Sequence, residues 1–243
     1  MIAIQHISKR FGKLQVLDDV SLTLQGGQCV ALIGPNGSGK TTLIKAILGM
    51  VVPQSGTLLF KGEPVGQQWE YRRDIGYMPQ IGRYPENMTI GQVLDMMKDI
   101  RKVPQAALDR DLFEAFELDQ MLDKRMGTLS GGTRQKVSAC LAFMFKPDVL
   151  ILDEPTAGLD PVATELLKEK ILAEKNRDRL IIITSHVLSD LDDLVTEVIY
   201  MQDGRPLFHK SLDALKEETG TDRLAKAVAK VMVNQEVGKG VTA

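Results

Sequence analysis

Apolar residues in this chain fall into short unbroken runs and into longer stretches with helical spacing, and the two textures alternate. Gln28-Cys29-Val30-Ala31-Leu32-Ile33, Val149-Leu150-Ile151-Leu152 and Leu180-Ile181-Ile182-Ile183-Thr184-Ser185 are compact and rich in β-formers. Each reads as a strand buried on both faces. Thr41–Leu48 has helical spacing and stops at Gly49, a residue that suits the left-handed end of a helix. The alternation here, and again after Pro147, predicts an α/β fold with a mostly parallel sheet flanked by helices. Ile2–His6 and Val20–Leu24, joined through turn-rich Lys9–Lys13, read with Thr57–Phe60 as an antiparallel β layer. Ile75–Met78 is a further short strand. From about residue 84 to 145 the pattern turns helical (Ile90–Ile100, Gln105–Phe116, Asp119–Lys124, Thr133–Phe145), which predicts an inserted helical subdomain. Glu197–Met201 and Arg205–His209 read as a hairpin around Asp203-Gly204. Residues 1–210 thus form one domain. Residues 211–243 form a short, charged helical tail ending in a disordered Gly/Val stretch.

The chemistry sits where strands end. Between the strand at 28–33 and the helix at 41–48 lies Gly34-Pro35-Asn36-Gly37-Ser38-Gly39-Lys40-Thr41-Thr42, which matches G-x-x-x-x-G-K-[ST]. Its glycines let backbone N–H groups converge on phosphate oxygens at a helix N-terminus. Lys40 would reach the β- and γ-phosphates, and Thr41 would place its hydroxyl on Mg²⁺. The fold class is therefore a P-loop NTPase core with an antiparallel β layer and an inserted helical subdomain. The strand at 149–152 delivers Asp153 and Glu154 to its C-terminal end, where open α/β sheets bind ligands. Consecutive residues on extended chain point to opposite sides, so Asp153 suits the metal and Glu154 the attacking water.

Leu129-Ser130-Gly131-Gly132-Thr133-Arg134-Gln135 opens a helix, with Ser130 as N-cap. Alone, it is only a capped helix beside two glycines. His186, at the end of the strand 180–185, is alone an ordinary helix-entry residue, as are His6 and His209. Gly158-Leu159-Asp160-Pro161 reads as a turn into a helix, capped by Asp160 with Pro at N1.

Thirty basic against 32 acidic residues, a net −2, give no field for nucleic acid. Cys29 and Cys140 lie in apolar segments and read as buried thiols of a reducing compartment. No signal peptide is expected, and no apolar run approaches the roughly 18 residues that span a bilayer. The methionines of the helical stretch, including Met96 and Met97, read as packing residues and an adaptable partner surface rather than copper ligands.

In their order, Phe11, Gly34–Thr42, Gln80, Leu129–Gln135, Val149–Glu154, Gly158-Leu159-Asp160 and His186 resemble the ATP-binding subunit of an ATP-binding cassette (ABC) transporter over nearly the whole chain. The resemblance implies ATP as ligand with Mg²⁺ as cofactor, and a role for each residue. Phe11 stacks on adenine, though the family usually carries Tyr there; without that context an aromatic before Gly12 is a turn or core anchor. Gln80 touches Mg²⁺ or the attacking water from a movable hinge, and His186 holds the γ-phosphate, the water and Glu154. Ser130, Gly131, Gly132 and Gln135 complete the γ-phosphate pocket of a partner subunit, and Asp160 faces that partner. The chain is then expected to work as a homodimer or pseudo-dimer of ATPase subunits. It would sit peripherally on the cytoplasmic face of the inner or plasma membrane. A separate integral membrane permease would be gripped through the helical subdomain.

Tyr84-Pro85-Glu86-Asn87-Met88-Thr89, Ala157–Pro161 and Ser185–Asp190 look most like two-component exporters of the ABC-2 kind. Gly132-Thr133-Arg134-Gln135-Lys136 is similar to the branch serving copper-dependent nitrous oxide reductase maturation. The alternative is a soluble ABC ATPase without a membrane partner. One P-loop and no extended heptads distinguish this chain from the translation and repair members of that group.

Overall fold

The computed structural model describes residues 1–66 and 69–240, the side chains of 234–240 excepted. Strands β1 (Ile2–Phe11) and β2 (Leu14–Leu24) form a hairpin, and β4 (Ser55–Phe60) and β5 (Glu63–Pro64) complete a four-stranded sheet in the order β2-β1-β4-β5. β1 is longer than its apolar pattern predicts, and the expected turn over Lys9–Lys13 shrinks to Gly12 and Lys13. Register shifts between Ile4 and Ile7, and around Lys9, break the period-2 alternation that would have marked the full strand.

The second sheet has six strands: β3 (Cys29–Ile33), β6 (Ile75–Met78), β7 (Val149–Asp153), β8 (Leu180–Thr184), β9 (Glu197–Gln202) and β10 (Arg205–Ser211). Their order is β10-β9-β3-β8-β7-β6. All pair in parallel except β10, which closes one edge antiparallel to β9. Every residue of β3, β7 and β8 is buried, as the unbroken apolar runs require.

The two faces of those strands go to different cores. Ala31, Ile33, Leu150, Leu152, Ile181 and Ile183 pack with helices α4 (Gly131–Phe143) and α5 (Pro161–Lys175). Val30, Leu32, Val149, Ile151, Leu180 and Ile182 pack with α1 (Lys40–Ile47) and with Ile4, Leu22 and Phe60 of the antiparallel layer. Each such valine, leucine, isoleucine or phenylalanine contributes about 1.5–3 kcal/mol on burial, so the sheet is clamped from both sides and its strand ends are rigid supports.

Between β6 and β7 lies the inserted helical segment. It begins with α2 (Ile90–Arg101), whose start is fixed by a reciprocal cap between Thr89 and Gln92. The expected helix over Gln105–Phe116 is not continuous. A 3₁₀ turn at Gln105–Ala107 is followed by α3 (Asp111–Ala115). The break is at Asp109, whose N–H donates to Met144 O at 2.8 Å and whose carboxylate accepts from buried Lys170 Nζ at 2.6 Å. Pairing a buried charge outweighs local helix preference. Asp119–Lys124 likewise holds only a 3₁₀ turn, Leu118–Met121.

After β10 come α6 (Leu212–Thr219) and α7 (Leu224–Gly240). Leu215, Leu224, Ala227 and Val231 are buried in the larger apolar cluster, so this segment is packed onto the core. Helix α7 runs on to Gly240, and the end of the expected disordered stretch, residues 241–243, lies outside the described residues. Among the described residues no helix is long and apolar enough to cross a membrane.

Candidate functional site

The C-terminal ends of β3, β7 and β8, with the loop after β6, open onto one cleft of about 360 Å³. The turn from β3 to α1 forms its floor, and Asn36 through Thr42 line it. Gly39 caps α1 at φ 103°, and a Cβ there would lie 2.6 Å from Val16 O, so only glycine brings the loop this close to β2. Lys40 Nζ donates to Gly34 O at 2.8 Å and to Pro35 O at 3.0 Å, which folds its side chain back over the loop. Burial lowers the pKa of its ammonium, against the opposing pull of Glu154 and Asp153. Ser38 Oγ is buried without a hydrogen-bond partner among the described residues. An orphan hydroxyl, a desolvated ammonium and a helix N-terminus in one loop form a site short of an anion.

Opposite the loop stand the two carboxylates. Asp153 is 8 % exposed and its Oδ1 accepts from Thr184 Oγ1 at 2.6 Å. Glu154 leaves the strand at φ 52°, a left-handed conformation that is uncommon for a residue with a Cβ and collects at functional sites. That twist brings its carboxylate to His186, whose N–H donates to Oε2 at 3.1 Å and whose Nε2 lies 3.3 Å from Oε1. Gln80, just past β6, is exposed and lines the same cleft. Thr41, Gln80 and Asp153 offer oxygen donors, the chemistry that a hard cation such as Mg²⁺ takes. Among the described residues no group of three or more His, Cys, Asp and Glu side chains could hold a metal. The donor set therefore fits an ion that brings phosphate oxygens with it.

The Ser-Gly-Gly segment does not line this cleft. Ser130 caps α4, its Oγ accepting from Thr133 N at 3.2 Å, and Ser130 and Gly131 are exposed. Gly132 packs against the Gly158 turn, where an added Cβ would come within 2.7 Å of Gly158 O. Gln135 is 5 % exposed on the inner side of α4 and does not line the cleft, and its Nε2 is buried without a hydrogen-bond partner among the described residues. Asp160 caps α5 by accepting from Ala163 N at 2.9 Å and pairs with Lys136 Nζ at 2.8 Å. Hydrogen bonding from Lys136, then from Ala163 N–H, holds its carboxyl below the usual range.

Phe11 ends β1 half exposed, with Lys9 Nζ 5.3 Å from its ring centroid, and is not among the residues that line the cleft; Val16 is. Val16 and Thr184 escape a reading by motif. Thr184 left one trace in the sequence, a polar residue closing an apolar strand just before Ser185-His186.

A phosphate loop facing a strand-end carboxylate pair is common to many nucleoside triphosphatases. An exposed Ser-Gly-Gly helix start, on a helical segment inserted between two strands of the same sheet, narrows the class to ATP-binding cassettes. The family model described as ABC transporter matches residues 17–157, more than half of the chain. The Nod factor export ATP-binding protein I of Burkholderia lata is 35 % identical over 226 residues, which are 91 % of this chain and 74 % of that protein. A solved ATP-binding subunit of an ABC transporter superposes with a TM-score of 0.88 at 28 % identity, covering 96 % of this chain and 99 % of that one. A dimeric ATP-binding cassette in a post-hydrolysis state, bound to ADP and Pi, shares the fold: TM-score 0.76, 20 % identity, 87 % of this chain and 98 % of that one. This chain belongs to the ABC transporter family as an ATP-binding subunit, and it is an ATP hydrolase of that family.

Proposed function

We propose that this chain powers a two-component exporter of the ABC-2 kind, hydrolysing ATP at the interface of a head-to-tail pair. One observation carries the reading. The start of α4 is exposed and lies outside the chain's own phosphate cleft, and a helix N-terminus beside two glycines suits an anion, so its ligand in this reading is a γ-phosphate held by another copy. ATP bonded from both sides joins the pair, and hydrolysis removes the bond. In this reading Ser130, Gly131 and Gly132 close the partner's cleft, with Gln135 behind them on the same helix as part of that pocket, and Asp160 faces the partner. The P-loop residues 34–42 hold the phosphates and Phe11 the adenine. Lys40 stabilises charge on the β- and γ-phosphates. Glu154, kept in place by His186, accepts the proton of the attacking water.

Thr41, Asp153 and Gln80 would hold Mg²⁺ together with the nucleotide. The ion supplies charge neutralisation on the β- and γ-phosphates.

The permease, a separate membrane protein, docks on the groove between the turn at Glu70–Asp74 and α2. Exposed Trp69 and Ile100, half-buried Met97 and three arginines, Arg72, Arg73 and Arg101, line that groove. It adjoins the strand that leads to Gln80, so closure of the cleft reaches the partner by a short path. The protein then sits peripherally on the cytoplasmic face of the membrane. Residues 1–210 act as the cassette and 211–243 as an appendage. Export is supported by the similarity to the Burkholderia Nod factor export ATP-binding protein I. Nothing beyond the likeness of Gly132–Lys136 supports the nitrous oxide reductase branch.

Glu154→Gln tests the mechanism. With Mg-ATP it should accumulate as a dimer in light scattering, while turnover falls by about 10²-fold or more. Wild-type turnover in that variant, or a monomer that hydrolyses ATP independently of protein concentration, overturns the proposal. A soluble ATPase would instead leave no membrane protein behind when the subunit is purified from detergent extracts.

A further inference from the structure

Thr184 ends β8 with 1 % of its surface exposed, in a strand otherwise made of Leu180 and three isoleucines. Its hydroxyl makes two hydrogen bonds whose directions follow from the partners. An ionised carboxylate only accepts, so Thr184 Oγ1 donates its single proton to Asp153 Oδ1 at 2.6 Å. A backbone N–H only donates, so Glu154 N donates to Thr184 Oγ1 at 3.0 Å. The relay therefore has one polarity and ties both acidic residues to the end of the neighbouring strand. Glu154 N also donates to Thr184 O at 3.2 Å, so the left-handed turn at Glu154 is anchored on this residue by two acceptors. Asp153 Oδ2 accepts no hydrogen bond among the described residues, and Asp153 is one of the residues that line the cleft.

We infer that Thr184 is a positioning residue for hydrolysis: its hydroxyl orients the Asp153 carboxylate toward the metal and holds Glu154 in the turn that delivers it to His186. This rests on the proposed roles of Asp153 and Glu154. Isoleucine or valine would fill the same strand position, and neither could make these bonds. A group that orients a metal ligand acts on metal affinity as well as on rate, and its loss costs about 10- to 100-fold in either.

Thr184→Val keeps the branched shape and removes the hydroxyl; Thr184→Ser keeps the hydroxyl. Mn²⁺ binding, read by electron paramagnetic resonance on protein loaded with a non-hydrolysable ATP analogue, separates orientation from packing, and kcat is followed alongside. The valine variant should bind Mn²⁺ about tenfold or more weakly and lose kcat by a similar factor, while the serine variant restores both to within about twofold. Nucleotide affinity with the metal chelated should be unchanged in both. Asp153→Asn is the control. If it loses Mn²⁺ affinity while Thr184→Val keeps it, the positioning role is refuted and the reading of Asp153 stands. If Asp153→Asn also binds Mn²⁺ as the wild type does, the metal role of Asp153 fails and the inference falls with it.

Discussion

Replacing Lys170 by methionine removes a charge where three carboxylates converge and leaves the side chain about as long. Lys170 and Glu174 lie one turn apart on α5, and Asp109 comes from the inserted segment; their side chains are 5 %, 1 % and 5 % exposed. Nζ lies 2.6 Å from Asp109, 2.7 Å from Asp111 and 3.1 Å from Glu174. After the substitution Glu174 keeps Arg177 at 2.9 Å and Arg179 at 2.6 Å, and Asp111, 69 % exposed, is left to water. Asp109 has no second cation among the described residues and little exposure to water, and keeps only the Asp111 N–H, which donates to its Oδ1 at 3.1 Å. Orphaning one member of a buried pair costs about 3–5 kcal/mol. A domain of this size loses about 2–4 °C of Tm per kcal/mol, so Lys170→Met should melt roughly 6–20 °C lower in calorimetry. Asp109→Asn in the same background should recover most of the loss, because a buried amide costs far less than a buried carboxylate. A Lys170→Met protein melting within about 2 °C of wild type would refute the reasoning.

Three further outcomes follow from the same geometry. Burial opposes the charge of Lys170, but hydrogen bonds to Asp109, Asp111 and Glu174 outweigh it and raise its pKa above the ordinary 10.5. Hydrogen bonding from Lys170 lowers that of Asp111 below 3.8. The lysine's contribution is therefore complete below 10.5 and lost only as pH rises through its higher folded value, and that of Asp111 is lost only as pH falls through its lower one. Wild-type Tm should thus lose these two contributions only at the alkaline and acid extremes respectively, and Lys170→Met should flatten the alkaline limb. Lys40→Ala should weaken ATP binding by about 10- to 100-fold and remove turnover; with the pKa of Lys40 lowered by burial, wild-type affinity should begin to fall at a pH below 10.5. Isothermal titration from neutral to alkaline pH reads both. Ser130→Arg should leave nucleotide binding to the monomer intact yet block ATP-dependent dimerisation. Loss of the N-cap costs only about 0.5–2 kcal/mol, so failure to bind nucleotide would contradict the shared site.

Much of the molecule was readable as sequence because its strongest signals are local. A phosphate loop must join a strand to a helix, and the run from Gly34 to Thr42 does so at the expected place. β3, β7 and β8 announced themselves because a strand buried on both faces has no polar positions to disguise it. The misreadings fall where local preference lost to distant partners. The helix expected over Gln105–Phe116 breaks because Asp109 is claimed by Lys170, 61 residues away. The appendage after Lys210 looked merely charged, yet Leu215, Leu224 and Val231 seal one face of the core.

What the sequence determined on its own was the class of chemistry and the strands that carry it, since motif spacing and apolar runs are properties of neighbouring residues. The tertiary structure alone decided which groups meet. It set Glu154 in a left-handed turn against His186, tied Asp153 to Thr184, and left Ser130 exposed and outside the lining of its own chain's cleft. Those relations join residues that strand order makes neighbours, and no spacing along the chain encodes an angle between two strand ends.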